Sequence, residues 1–288
     1  MPPADTTIST AETLAGFVER QAQRRPDGIA IRYGDLPWSW ADWASRIRRV
    51  AGALRAAGVQ RGQCVAFLDK NHPACLEVLF AAASMGAVTT IVNWRVIVDE
   101  LVHVLDDCGA RLLCVGAELW PTVWSVASRV ARLERIVVVG DTPGTGDEYE
   151  SLLAAASPAP PDTEVADSDT ALVIYSSGTT GRPKGVLLGQ RALVNHSANL
   201  APAFPFAEGD ANLVAMPLGH SRSRRPRPRG HAGRARRARR EAALSRAGLG
   251  VLTRCFSESV DQFVEVTAVA AVYAFAQIHH ARAPLAAE

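Results

Sequence analysis

Apolar residues along the first part of the chain fall into two alternating patterns. Runs such as Cys64–Leu68 and Val88–Val92 are short, almost wholly apolar and rich in β-branched residues, which is typical of strands buried on both faces. Between such runs, apolar side chains recur three and four positions apart, as in 72–85, which is typical of amphipathic helices. This alternation predicts an α/β fold in which helices cover both faces of a parallel sheet.

The same patterns set the bounds of the predicted elements. Strands are predicted at 28–33, 64–68, 88–92, 111–115, 135–139, 171–175, 185–188 and 212–216. Helices are predicted at 72–85, 99–105, 119–130, 149–155 and 190–200. The proline- and glycine-rich segment 140–168 predicts a surface loop and linker around one short helix.

Two further helix starts are indicated by capping residues near the amino terminus. The string Ser9-Thr-Ala-Glu12 fits a capping box, and Ser39 with Asp42 fits the start of a helix that runs to about residue 57. Trp40 and Trp43 lie on the apolar stripe of that second helix. They therefore fit a core position better than a stacking platform for a base.

Composition agrees with a globular protein that has a substantial core. The chain has 288 residues, of which 48% are hydrophobic and 21% charged, enough for one or two domains. It contains no window of 18 apolar residues and no amino-terminal basic start followed by an apolar run. Its five cysteines lack metal-ligand spacing and fit buried free thiols. These features predict a cytoplasmic protein without a membrane span.

The segment 169–186 carries the clearest chemical signal. It reads Asp-Thr-Ala-Leu-Val-Ile-Tyr-Ser-Ser-Gly-Thr-Thr-Gly-Arg-Pro-Lys-Gly-Val, an apolar strand that runs into glycines, hydroxyls and one lysine. Glycines let the backbone approach a ligand, N–H and hydroxyl groups donate to anions, and a lysine adds a positive charge. The spacing does not fit a Walker A loop, because Pro183 precedes Lys184 and no Ser or Thr follows it. A surface turn is the alternative, but the length of the string favours a phosphate-binding loop.

The string resembles the phosphate loop of the adenylate-forming superfamily, which includes acyl-CoA synthetases, luciferases and the adenylation domains of peptide synthetases. Asn93-Trp-Arg95 looks like an element of fatty-acyl-CoA ligases. Met216-Pro-Leu-Gly-His220 looks like the next motif of the family, although Gly219 replaces its usual aromatic residue. The resemblance covers about residues 10–220, so residues 1–220 are interpreted as part of an adenylation domain.

The resemblance implies a two-step, AMP-forming acid–thiol ligase. A small-molecule carboxylic acid attacks the α-phosphate of ATP, and coenzyme A then takes the acyl group. Lys184, Thr180 and His220 would be catalytic, with Thr180 near Mg²⁺ and His220 beside the acyl pocket. The β- and γ-phosphates would be held by Ser176, Ser177, Gly178, Thr179, Thr180, Gly181 and Lys184. A fatty acid is the expected substrate, with aryl acids and amino acids left open.

Residues 221–288 do not follow the family pattern. Residues 1–220 carry 18 basic and 24 acidic side chains, whereas 221–288 carry 13 and 5, and ten of the twenty residues in 221–240 are arginine. A frameshift in a GC-rich gene accounts for this composition, and a genuine basic tail is the alternative. Because the adenine, ribose and hinge elements of the family are not found there, the chain is expected to be inactive by itself. The less favoured function is a nucleotide-binding fragment whose tail binds nucleic acid or an acidic partner.

Overall fold

A computed structural model describes residues 13–34, 36–143, 146–160, 162, 164–176 and 182–200. The helices are α1 (Leu14–Arg24), α2 (Trp40–Ala56), α3 (Pro73–Ser84), α4 (Val98–Asp107), α5 (Trp120–Trp124), α6 (Glu148–Ala155) and α7 (Gln190–Leu200). Two small antiparallel ribbons are formed by β1 (Ile29–Tyr33) with β2 (Leu36–Ser39) and by β7 (Asp141–Thr142) with β8 (Gly146–Asp147). The main sheet consists of β3 (Cys64–Leu68), β4 (Val88–Val92), β5 (Ala110–Gly116), β6 (Arg135–Val139), β9 (Thr170–Ser176) and β10 (Lys184–Gly189).

The main sheet is mostly parallel. Its strand order is β10-β9-β4-β3-β5-β6, and its first five strands in the chain pair in parallel where they are neighbours. Strand β10 pairs antiparallel with β9 at one edge of the sheet. The connection between these two strands is too short for a crossover, so the chain turns back as a hairpin. The predicted α/β architecture is confirmed, with this strand as its antiparallel exception.

Helices bury both faces of the sheet, as predicted. One apolar cluster contains residues of α1, α2, α3 and α7, and the other contains residues of α4 and α5. In the first cluster, Phe17, Trp40, Trp43 and Phe80 form a row of edge-to-face rings with centroids 5.5–6.0 Å apart. Trp40 and Trp43 are 1% and 0% exposed, which confirms that they are core residues.

The capping prediction is confirmed for α2. The Asp42 N–H donates to Ser39 Oγ at 3.1 Å, and the Ser39 N–H donates to Asp42 Oδ2 at 3.4 Å, which completes the capping box. The capping box predicted at 9–12 lies outside the described residues. Helix α1 instead begins at Leu14, with Thr13 as its cap.

One segment differs from its prediction, and a second makes a contact that was not predicted. The helix predicted at 119–130 breaks after α5, and 127–129 forms a separate 3₁₀ turn. At the break, the Ser125 hydroxyl donates to the Thr122 carbonyl at 2.7 Å, a local bond that competes with the helical ladder. The predicted surface segment 140–168 contains its predicted short helix as α6, and beyond it the Ala159 N–H donates to the Arg48 carbonyl at 2.9 Å. A Cβ on Gly52 would lie 1.9 Å from the Ser157 carbonyl oxygen, so only glycine allows this approach.

A buried ionic network ties three helices together. Glu77 of α3 is 0% exposed and accepts two hydrogen bonds from Arg46 of α2, at 2.5 and 3.1 Å. The Tyr149 hydroxyl of α6 donates to the same carboxylate at 2.7 Å. Arg46 also binds Glu150 of α6 and lies 4.7 Å over the Trp38 ring. Every oxygen of the buried carboxylate thus has a charged or hydroxyl partner, as a buried ion requires.

Candidate functional site

Polar residues gather where the parallel strands end. The predicted phosphate loop follows β9, Asn93-Trp-Arg95 follows β4, and Asp69 with Lys70 follows β3. These strands are neighbours in the sheet, so their carboxyl ends form one edge. Ligands of open α/β sheets bind outside this edge. The described ends of the expected nucleotide loop, Ser176 and Lys184, lie at this edge.

The phosphate loop is the connection of a β-hairpin. Ser176, the last residue of β9, pairs with Lys184, the first residue of β10. The Lys184 side chain is exposed at the mouth of the hairpin. The other proposed phosphate ligands lie outside the described residues, and so does His220, so their roles stay predictions. They are Ser177, Gly178, Thr179, Thr180 and Gly181.

Helix α4 anchors both strands of this hairpin. His103 Nε2 lies 3.1 Å from the Pro183 carbonyl oxygen, directly before β10. The Tyr175 hydroxyl of β9 donates to Asp107 Oδ2 at 2.5 Å. Gly185 makes the close packing possible, since a Cβ there would lie 3.1 Å from the Tyr175 ring. Sequence reasoning did not find these anchors, although His103 and Asp107 are four positions apart on α4 and so share a helix face.

The segment after β4 is stabilised by its own polar groups. The Arg95 N–H donates to Asn93 Oδ1 at 3.0 Å. The Arg95 guanidinium lies 4.3 Å from the centre of the Trp94 ring, and Lys70 Nζ lies 5.8 Å from the same ring. Lys70 also forms an ion pair with Glu118 at 2.5 Å. The Lys70 ammonium is therefore held between an aromatic ring and a carboxylate.

Asp69 occupies the carboxyl end of β3 beside Gly116 of β5. Its Oδ1 accepts from the Lys70 N–H at 2.7 Å, and a Cβ on Gly116 would lie 2.0 Å from that oxygen. Glycine is therefore required at the end of β5 for the carboxylate to fold back into the edge of the sheet. Burial raises the pKa of the Asp69 carboxyl.

His72 gives this edge a pH-dependent contact. Its Nδ1 accepts from the Ala74 N–H at 3.1 Å and so caps α3, which requires a ring nitrogen without a proton. Burial lowers the pKa of His72, against the opposing effect of Asp69, Asp147 and Glu150.

We expect stability to fall in acid through this residue. Because its folded pKa is lowered, the contribution of His72 is complete above its unfolded pKa of about 6.5 and is lost as pH falls below that value. Urea unfolding at a series of pH values should show a smaller loss between about pH 7 and pH 5 for His72→Asn, which can still cap, than for the unaltered chain. Equal slopes for the two proteins would contradict this assignment.

The described ranges contain neither a cluster of metal ligands nor a membrane-spanning helix. Within them, no three His, Cys, Asp or Glu side chains are grouped so as to hold a metal ion. Of the helices formed by those residues, none is long and apolar enough to cross a bilayer. The Arg-rich segment 221–240 lies outside the residues that the structure describes. A frameshift product and a genuine basic tail therefore both remain predictions.

The fold and the hairpin define a class: an α/β protein with a mostly parallel sheet, whose glycine- and hydroxyl-rich connection joins β9 to β10. Residues 18–225 match the model of the AMP-binding enzyme family. The chain belongs to this family. The resemblance inferred from the loop is thereby confirmed.

Curated relatives share the same region. The chain is 38% identical over 208 residues to a feruloyl-CoA synthase from an Amycolatopsis species, covering 72% of this chain and 40% of the relative. It is 36% identical over 209 residues to an indoleacetate–CoA ligase from Aromatoleum aromaticum, covering 72% of this chain and 41% of that one. The chain therefore spans about two fifths of the length of these relatives.

Solved structures confirm the fold. A crystal structure of a candidate long-chain-fatty-acid CoA ligase from Rhodopseudomonas palustris superposes with a TM-score of 0.66 at 29% identity, over 73% of this chain and 52% of that one. A fatty acyl CoA synthetase from Mycobacterium tuberculosis superposes with a TM-score of 0.64 at 23% identity, over 72% of this chain and 40% of the other. The sheet and its flanking helices are therefore those of the amino-terminal part of adenylate-forming enzymes.

Proposed function

We propose that this chain carries the phosphate-binding part of an enzyme that activates a carboxylic acid with ATP and passes the acyl group to coenzyme A. One observation supports the proposal: the Ser/Gly/Thr string connects β9 to β10, and Lys184 is the first residue of β10. The family match over residues 18–225 supports it, as do relatives named as CoA synthases and ligases.

The hairpin supplies the groups that the first reaction step requires. The carboxylate must approach the α-phosphate in line, and pyrophosphate must leave with its charge neutralised. We propose that the loop N–H and hydroxyl groups hold the β- and γ-phosphates, with Lys184 adding a fixed positive charge. Thr180 would be the ligand of a Mg²⁺ ion, which supplies further charge neutralisation when bound. His220 would lie beside the acyl pocket.

The proposed acid has an apolar body attached to its carboxylate. The Asn93-Trp-Arg95 element supports a fatty acid, and a relative named as a fatty acid–[acyl-carrier-protein] ligase is 32% identical. The relatives at 38% and 36% identity are named for aryl acids, ferulate and indoleacetate. Because the chain is expected to be inactive by itself, calorimetric titration with matched fatty and aryl acids in the presence of Mg-ATP separates these two classes.

The phosphate assignment can be tested without turnover. An acyl phosphate of ATP acylates an amine that lies beside the bound phosphates, and this chain has only two lysines, Lys70 and Lys184. We expect Lys184 to be acylated, with labelling suppressed by excess ATP, when the modified peptides are identified by mass spectrometry.

Lys70 is the internal control for this experiment, because it is ion-paired with Glu118 and belongs to another strand end. Equal labelling of both lysines, or labelling of Lys184 that excess ATP does not reduce, would refute the assignment. Adenosine, which lacks phosphates, should protect less well than ATP.

A further inference from the structure

A second candidate site lies at the amino ends of β3 and β5, where the chain enters the parallel strands. An open cleft of about 400 Å³ is lined there by Cys64, the first residue of β3, and by Cys108, the residue that ends α4. Arg111, Arg132 and Glu134 line the same cleft. The proposed phosphate site does not use any of these side chains.

The two thiols line the same cleft, and one of them contacts a hydroxyl. Cys64 Sγ lies 3.1 Å from Thr90 Oγ1 of β4, and the Cys108 thiol donates to the Leu105 carbonyl at 3.5 Å. Both cysteines are free thiols in the structure. Their proximity follows from the topology, since Cys64 pairs in parallel with Ala110, two residues beyond Cys108.

The surroundings make the two thiols unequal. Cys108 is half-buried, whereas Cys64 is 5% exposed. The hydrogen bond from Cys64 lowers the pKa of the Cys108 thiol, and the same bond, together with burial, raises that of Cys64. Arg132 Nη1 lies next to Gly109, the residue after Cys108, and adds positive charge at the cleft. Cys108 is therefore the better nucleophile toward an oxidant. Cys64 lines the same cleft and can then attack the oxidised sulfur of Cys108.

We propose that Cys64 and Cys108 form an oxidative modification site, in which a peroxide converts the thiol pair to a disulfide. The Cys108 thiolate attacks one oxygen of hydrogen peroxide, the O–O bond breaks, and hydroxide leaves to give a sulfenic acid. The Cys64 sulfur then attacks the Cys108 sulfur and displaces the hydroxyl, which leaves as water with the Cys64 proton. Two thiols and one peroxide thus give one disulfide and two waters.

Cys75 and Cys114 provide a comparison within the same protein. Each is buried, at 1% and 2% exposure, and burial raises the pKa of both thiols. Neither lines the cleft. Oxidation by peroxide should therefore be selective for the pair and should leave these two thiols reduced.

The test uses the full chain, treated with hydrogen peroxide, alkylated and digested without reductant. We expect a mass decrease of two hydrogen atoms, a peptide pair linked through Cys64 and Cys108, and reversal by dithiothreitol. In Cys64→Ser, the sulfenic acid at Cys108 has no partner and should be trapped by dimedone. In Cys108→Ser, neither the link nor a dimedone adduct at residue 64 should form.

Controls keep the result interpretable. Cys75→Ser and Cys255→Ser should both leave the link unchanged, and circular dichroism of each variant establishes that it is folded. The experiment on the unaltered chain does not depend on any variant: links that involve other cysteines, or oxidation of Cys108 without a link to Cys64, would overturn the proposal.

Discussion

Glu77→Ala should destabilise the fold by about 3–5 kcal/mol, because it removes one partner of a buried ion pair and leaves the other uncompensated. Glu77 is 0% exposed and is contacted by Arg46 and by the Tyr149 hydroxyl. Without the carboxylate, the part of the Arg46 guanidinium that faces the interior loses its acceptor, and the Tyr149 hydroxyl loses its own. The free energy of unfolding, measured by urea titration, reports the loss.

The matched control is Glu150→Ala, which removes the second carboxylate bound to the same arginine. The Glu150 side chain is 46% exposed, so water replaces it and the expected cost is about 0–1 kcal/mol. Replacing both partners with apolar residues, as in Arg46→Met with Glu77→Leu, should cost less than Glu77→Ala alone. Similar losses for Glu77→Ala and Glu150→Ala would show that burial does not set the strength of this network.

Lys184→Ala should weaken ATP binding by about 10- to 100-fold, because it removes one charged hydrogen bond to phosphate, which contributes about 1.5–3 kcal/mol. Lys184 is the first residue of β10 and pairs with Ser176, so it lies where the loop ends. The neighbouring contacts of the hairpin, from α4 to Pro183 and Tyr175, do not involve this side chain. Calorimetric titration with Mg-ATP at fixed ionic strength measures the change.

Two variants distinguish phosphate binding from a general effect of charge. Lys184→Arg keeps the charge and should recover part of the affinity, although its planar group does not reproduce a compact ammonium. Lys70→Ala removes the other lysine and should change ATP affinity much less than Lys184→Ala does, since the Lys70 ammonium is ion-paired with Glu118. Equal losses at the two lysines would exclude a specific role for Lys184.

Local patterns were sufficient to predict most strands and helices. The runs at β3, β4 and β5 are short, mostly apolar and separated by helical patterns, so a buried parallel sheet was the natural interpretation. The prediction was wrong at 119–130, where apolar spacing is helical but side-chain hydrogen bonding at Ser125 ends the helix. The short helix predicted within 140–168 is present as α6, but the contact of the following residues with α2 could not be predicted from their prolines.

The candidate site was likewise predicted only in part from the sequence. The phosphate loop is contiguous in sequence, so it could be recognised from residues 176–184 alone. Its anchors could not, because His103 meets Pro183 and Asp107 meets Tyr175 across separations of 80 and 68 residues. Arg46 and Glu77, which form an ion pair, are likewise 31 positions apart in the sequence. Contacts of this kind depend on how the elements pack, and hydrophobic periodicity does not encode them.

The packed segment after α6 has a consequence for the order of folding. Arg49 of α2 donates to the Ala156 carbonyl, 107 residues later, and Gly52 lies against Ser157. During synthesis, α2 therefore emerges from the ribosome long before the chain that completes its surface. Until about residue 160 has been translated, this helix exposes a surface that a chaperone can bind. Contacts of such sequence separation also slow folding in vitro, because the chain must close a long loop before they contribute.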